Sequence, residues 1–217
     1  MRTIIETADD GIRPKLLMAL LSGTYSQPED FVREGFPAEV HAQGIDAEVV
    51  MAEVRAAWFA DGTIVDRIRE AVVMPAQARG HGRIWFAGIS LGGLAALSYA
   101  ARHEPDVAGI VLISPYPATR DVLREVDAAG GLDHWHPVIP PGGDLEREAW
   151  RWLADCRDGE APVHCYFTSG DRFAPGQRRM AEALDPSRVR ELPGGHDWPA
   201  WRSLWHEFLT DSRAVLQ

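Results

Sequence analysis

Four short segments of this chain are apolar at nearly every position, not at every second one. They are Lys15-Leu16-Leu17-Met18-Ala19-Leu20-Leu21, Arg83-Ile84-Trp85-Phe86-Ala87-Gly88-Ile89, Val107-Ala108-Gly109-Ile110-Val111-Leu112-Ile113-Ser114-Pro115 and Val163-His164-Cys165-Tyr166-Phe167-Thr168. A strand with one wet face alternates apolar and polar residues, so continuous runs of this length suit strands buried on both faces. Such strands need helices above and below, and helical spacing does lie between the runs. It appears at Glu29 to Gln43 (Phe31, Val32, Phe36 and Val40) and at Ile64 to Ala78 (Ile64, Ile68, Ala71, Val72 and Pro75). Pro75 should end or kink the second of these. After Asp144, a helix-capping residue, a stripe runs through Leu145, Ala149, Trp152, Leu153 and Cys156. Pro175 to Leu184 reads as another helix, and a last one carries Trp201, Leu204, Trp205, Phe208 and Leu209 on one face. Shorter strands fit within residues 1–14, within Ile45 to Trp58, and at Val189 to Leu192. The alternation predicts an α/β fold with a mostly parallel central sheet and helices on both faces.

A chain of 217 residues is long enough for one domain with a substantial core, spanning 1–217. Residues 116–143, with Gly130-Gly131 and Pro140-Pro141-Gly142-Gly143, read as an irregular, lid-like excursion from it. The formal net charge of −10 argues against nucleic acid or an anionic membrane surface as the main partner. Lys15 is the only lysine, and arginine supplies the rest of the positive charge. The first residues turn acidic at Glu6 without an apolar signal core, and no apolar run is long enough to span a bilayer. Cys156 and Cys165 have no metal-ligand spacing and read as buried free thiols, so a reducing cytoplasm is the expected compartment.

The second buried run leads into Gly88-Ile89-Ser90-Leu91-Gly92 and then into a small, Ala- and Leu-rich stretch that reads as a helix to about His103. Strand, Gly-x-Ser-x-Gly and helix together form the nucleophile-elbow pattern. Its logic is steric. A serine on a very tight turn sits in strained backbone geometry, and its neighbours two residues away must lack a Cβ so that strand and helix can pass closely. The turn presents Ser90 to solvent at the carboxyl end of the strand. It also aims the N–H of Leu91, at the helix N-terminus, toward a developing oxyanion.

A serine hydroxyl is a poor nucleophile without a base, and the base needs an acceptor that holds its tautomer. Among eight histidines, His196 is the best candidate, because Gly194-Gly195 lets its loop bend inward. Asp171, directly after the Cys165 strand, is the candidate acid; Asp197 is assigned instead to capping the last helix. The second oxyanion donor is expected from the loop after the first buried run: Thr24 N–H, with Tyr25 as the alternative. Ser90, Asp171, His196 and the Gly23-Thr24 loop all fall after strand ends, where open α/β sheets bind ligands. His134-Trp135-His136 lacks a third ligand and is set aside as a metal site. Tyr116 and Trp135, with Tyr25, are the candidates for lining an acyl pocket.

The order Ser90, Asp171, His196, with Gly88-x-Ser90-x-Gly92, Gly170-Asp171 and Gly195-His196-Asp197, resembles the α/β-hydrolase superfamily, and a small serine esterase within it. The resemblance runs from about Lys15 to the end and starts near the family's third strand. It implies a covalent acyl-enzyme on a small-molecule acyl ester, with no cofactor and no metal. The family's usual His-Gly oxyanion signature is replaced here by Ser22-Gly23. A thioesterase or acyltransferase would use the same triad, and a catalytically silent member of the fold would bind a ligand only. The sequence does not specify an oligomeric state.

Overall fold

Among the described residues, seven strands form one sheet in the order β1-β3-β2-β4-β5-β6-β7, where β1 is Thr3–Glu6, β2 Leu16–Leu21, β3 Ala47–Ala52, β4 Arg83–Ile89, β5 Gly109–Ile113, β6 Val163–Thr168 and β7 Val189–Leu192. The computed structural model describes residues 1–6, 14–156 and 161–217. Only β1 runs antiparallel, against β3; every other neighbouring pair is parallel. The continuous apolar runs occupy the middle of the sheet, as strands buried on both faces must. Successive residues go to opposite sides. Leu17, Ala19 and Leu21 of β2 join one core with Ile84 and Phe86 of β4. Leu16, Met18 and Leu20 join the other with Trp85, Ala87 and Ile89.

Helices close both faces. On one side lie α1 (Pro28–Arg33), α2 (Phe36–Ala42) and α10 (Trp198–Asp211), followed by α11 (Arg213–Leu216). On the other lie α4 (Ile64–Ile68), α5 (Met74–Ala78), α6 (Leu91–His103), α7 (Arg120–Ala129), α8 (Leu145–Asp155) and α9 (Ala174–Ala181), with the short α3 (Ala57–Ala60) beside them. Cys156 and Cys165 are free and buried, and burial pushes both thiols up to about 12. Among the described residues, no helix is long and apolar enough to cross a membrane.

Four local expectations change in three dimensions. The helix expected from Glu29 to Gln43 is two helices, because Gly35 takes a left-handed φ of 78° and breaks the path, and Val32 is left exposed. Pro75 does not end its helix. The turn Arg69–Val73 widens to π geometry just before it, which accommodates a residue with no N–H to donate and a ring that crowds the preceding turn. The excursion is not wholly irregular either. It contains α7, held by fully buried Val122 and Val126 one turn apart and closed by left-handed Gly130. On α8 the buried tryptophan is Trp150, whose indole N–H donates to Pro117 O at 2.6 Å, whereas Trp152 is half-buried and reaches Glu104. Ala149, Leu153 and Cys156 of the expected stripe are buried, but Trp150 and Trp152, two positions apart, point to nearly opposite sides of the helix, and α8 turns Trp150 to the core.

Candidate active site

The turn between β4 and α6 holds Ser90 at φ 52° and ψ −117°, a backbone conformation that L residues rarely adopt. Close packing forces it. A Cβ on Gly88 would lie 2.3 Å from Gly92 O, and one on Gly92 would lie 2.1 Å from Leu21 O, so the elbow admits only glycine at both places. The backbone around Ser90 is pinned from the neighbouring strand and loop. Ser90 N donates to Ile113 O (3.1 Å), and Tyr116 N donates to Ser90 O (2.8 Å). Leu91 begins the 13-residue α6, so its N–H is one of the helix's first-turn donors without an intrahelical acceptor, beside the Ser90 hydroxyl.

The loops after β6 and β7 bring the other two groups. His196 Nε2 stands 3.0 Å from Ser90 Oγ, and His196 Nδ1 stands 2.7 Å from Asp171 Oδ2. The two loops are stitched together. Gly170 N donates to Gly194 O (3.0 Å), Ser169 N to Leu192 O (2.9 Å), and the Thr168 hydroxyl to Gly195 O (2.9 Å). The histidine ring is fixed edge-to-face between Phe173 and Trp201, with centroids at 5.3 and 5.1 Å. Asp197 caps α10 by accepting from Ala200 N, and so turns away from the ring.

Asp171 is buried. Desolvation by itself would raise the pKa of its carboxyl, but hydrogen bonds from His196, from the Phe173 amide (2.8 Å, to Oδ1) and from the Gln177 amide (2.9 Å, to Oδ2) outweigh it. The net result is a carboxyl held below its ordinary value, charged at neutral pH and facing the imidazole. This arrangement suits stabilisation of an imidazolium formed when the serine proton moves to Nε2.

A cleft of about 1530 Å³ opens over these groups. Thr24 and Tyr25 stand in a tight turn closed by Ser26 N donating to Gly23 O, and both line the cleft; Tyr25 is almost fully exposed at its rim. Gly23 is next to Ser90: a Cβ there would be 3.4 Å from the serine's own. Tyr116 also lines the cleft, its ring edge-to-face with Phe173 at 5.4 Å. Trp135 does not line the cleft. Its side chain is 3% exposed and packs into the core beneath α7 and α8, because the short helical turn Leu132–His134 draws it inward. His134 and His136 flank it, both exposed, and His136 meets Arg151. Among the described residues no group of three or more His, Cys, Asp or Glu could hold a metal ion. Sequence reasoning missed Phe173 and Gln177. An aromatic two residues after Asp171 is a weak local hint, and Gln177 carries none. Trp201, assigned to the core by its helix face, is buried as expected and also touches the histidine.

No protein-family model matches the chain, and no curated protein matches it in sequence. Solved structures do resemble it. S-formylglutathione hydrolase FrmB from Staphylococcus aureus aligns with a TM-score of 0.73 at 16% identity, covering 96% of this chain and 91% of that one. FphF, a fluorophosphonate-binding serine hydrolase of Staphylococcus aureus, gives 0.69 at 17%, covering 94% and 86%. A monoacylglycerol lipase from Paleococcus ferrophilus gives 0.62 at 16%, covering the whole of both chains. At such identities the likeness establishes the fold: this chain has the α/β-hydrolase fold.

Proposed function

We propose that this protein is a serine hydrolase that cleaves acyl esters of small molecules. The observation that carries the reading is the contiguous set Ser90 Oγ, His196 and Asp171, with contacts of 3.0 and 2.7 Å, built on a strained serine at the mouth of the cleft. Ser90 Oγ attacks the ester carbonyl carbon as its proton passes to His196 Nε2. The carbonyl oxygen becomes an oxyanion held by Leu91 N–H and by Thr24 N–H, each a donor fixed in advance by its turn. The tetrahedral centre collapses, the bond to the leaving oxygen breaks, and His196 gives that oxygen its proton. Water then attacks the acyl-Ser90 ester, His196 takes the water's proton, and collapse returns the proton to Ser90 and releases the acid. Asp171 keeps Nδ1 protonated throughout and balances the charge on the ring. Tyr116 and Tyr25 are assigned to the acyl-binding side of the cleft.

The test is intact mass after treatment with a fluorophosphonate, a reagent class that one structural neighbour is described as binding. The wild type is expected to gain one adduct and Ser90→Ala none. Ester turnover should fall on that substitution by about 10⁶, the loss seen when a triad nucleophile is removed. Rates on matched oxygen esters and thioesters then distinguish esterase from thioesterase action. A folded wild type that takes no adduct and turns over neither substrate would overturn the proposal in favour of a ligand-binding role.

A further inference from the structure

Gln177 lies on α9, six residues beyond Asp171, and its side chain is completely buried. Its amide nitrogen has two hydrogens and two acceptors: Asp171 Oδ2 at 2.9 Å and Pro115 O at 3.0 Å. Both neighbours are acceptors only, so the amide can sit one way round, with nitrogen toward them. Its oxygen Oε1 is buried and has no partner among the described residues. A buried polar side chain with half its hydrogen-bonding capacity unmet is costly to keep in a core. Something about the other half makes it worth retaining.

The contacts form a closed circuit. From Asp171, His196 leads to the Ser90 hydroxyl. Ser90 O accepts from Tyr116 N, and Tyr116 follows Pro115 directly in the chain. Pro115 O accepts from Gln177, and Gln177 returns to the same Asp171 oxygen that faces His196. Without Gln177 the circuit is open on the side of β5. The Asp171 carboxylate would then be linked by side chains to the nucleophile only through His196, whose ring gains and loses a proton during the reaction.

We propose that Gln177 is a positioning residue of the hydrolase. It holds Asp171 Oδ2 on the axis of His196 Nδ1, and it tethers the acid's loop to the segment that pins Ser90. The inference rests on the triad reading above. The groups facing Asp171 are few. His196 approaches from the loop before α10, Gln177 from α9 and the Phe173 amide from its own turn. The neighbouring Arg172 guanidinium lies over the Phe173 ring instead, 4.7 Å from its centroid. Besides His196, then, no charged side chain makes a hydrogen bond or ion pair to Asp171 among the described residues.

The experiment compares wild type, Gln177→Met and Gln177→Glu on one ester, with kcat and KM measured from pH 5 to 9 and thermal midpoints recorded alongside. Methionine keeps the volume and removes both donors, together with the unsatisfied oxygen. It is expected to lower kcat by about tenfold to a hundredfold, the range one hydrogen bond to a charged group represents. KM should stay unchanged, and the acidic limb of the kcat profile should move to higher pH, because Asp171, with one donor fewer, directs more of its charge to His196 Nδ1–H and favours the imidazolium over the neutral ring that acts as base. Glutamate can donate to Asp171 only when protonated, so its activity relative to wild type should rise as pH falls. A merely structural glutamine would lower the thermal midpoint and leave both profiles in place; that result, or wild-type kcat in both variants, overturns the inference. Fluorophosphonate labelling of the wild type separates the two levels. A wild type that labels and turns over, with variants indistinguishable from it, refutes the role of Gln177 alone, whereas a wild type that does neither refutes the triad.

Discussion

Two histidine–carboxylate pairs are built into this sheet, one at each end of its strands. At the carboxyl ends Asp171 meets His196 at 2.7 Å. At the amino ends Glu48, near the start of β3, meets His81, in the loop before β4, at 3.0 Å. The second pair is the more deeply buried: the side chains of His81 and Glu48 are 0% and 2% exposed, against 16% for His196 and 0% for Asp171. What differs is the other nitrogen. His196 Nε2 faces a hydroxyl on a strained elbow and opens to a cleft. His81 Nδ1 is buried with no partner among the described residues, and Glu48 also takes the guanidinium of Arg79. A carboxylate beside an imidazole is therefore no mark of catalysis. The mark is the third group, and a sheet of this type offers room for one only beyond its carboxyl ends.

The largest effect should come from cutting the pair proposed to be catalytic. Asp171→Asn keeps the shape but offers Nδ1 an amide in place of a charge, which favours the wrong tautomer. Ester turnover should drop by about 10⁴ with the fold retained, as such a replacement does in serine-protease triads. Steady-state kinetics beside circular dichroism checks this, and a loss of less than tenfold would mean that Asp171 does not serve His196.

The matching cut at the other end should leave the chemistry alone. Glu48→Gln removes the charge that Arg79 and His81 share, and breaking a buried pair from one side costs about 4 kcal/mol. Urea unfolding should register that loss while kcat/KM of the folded protein stays within about twofold, because the pair lies at the opposite end of the strands and shares no partner with the cleft. A fall in kcat comparable to that of Asp171→Asn would erase the distinction between the two ends.

A third histidine sharpens the contrast, because it lacks a hydrogen-bonded carboxylate among the described residues. His164 on β6 is buried beside the rings of Trp85 and Phe208, and its Nδ1 has no partner there. Burial, with repulsion from Arg188 and Arg190 only partly offset by Asp211, pushes its pKa down to about 4. The unfolded chain binds this proton near pH 6.5, and the folded one does not until about pH 4. The stability that neutral His164 supports is therefore complete above about pH 6.5 and lost progressively as pH falls to 4, about 3 kcal/mol in all. His164→Phe should remove that portion of the pH dependence, measured as the difference between wild-type and variant unfolding free energies at pH 7 and pH 4. Parallel curves for the two proteins would assign the acid sensitivity to other groups.

Much of the candidate site was legible in the sequence because its demands are local. The elbow is a steric motif of five residues. The candidate acid and base each follow a readable strand and carry their own loop-forming glycines, Gly170 for Asp171 and Gly194-Gly195 for His196. The buried strands were readable because two-sided burial removes the polar alternation. What escaped was set by choices between equivalent local solutions. On α8 the spacing of apolar residues allowed either Trp152 or Trp150 to face inward, and the carbonyl of Pro117 decided for Trp150. Trp135 sits in a loop-rich stretch whose path no periodicity describes, so its burial could not be read. The Gly35 break was visible as a glycine, but its left-handed φ was not.

By itself, the sequence determined that this chain builds a parallel sheet covered on both sides, with a serine on a tight turn at one strand's end. Each follows from contacts among residues close in the chain, or from how many of a segment's faces must avoid water. Only the tertiary structure decided which partners those residues meet. Ser90 and His196 are separated by 106 positions, and Gln177 and Pro115 by 62. Such pairs come together because the strand order sets β6 and β7 beyond β5, and β5 beside β4, so that loops remote in sequence share one edge of the sheet. The same order carries Glu48 and His81 to the opposite edge, where, among the described residues, the other nitrogen of the histidine meets no hydroxyl.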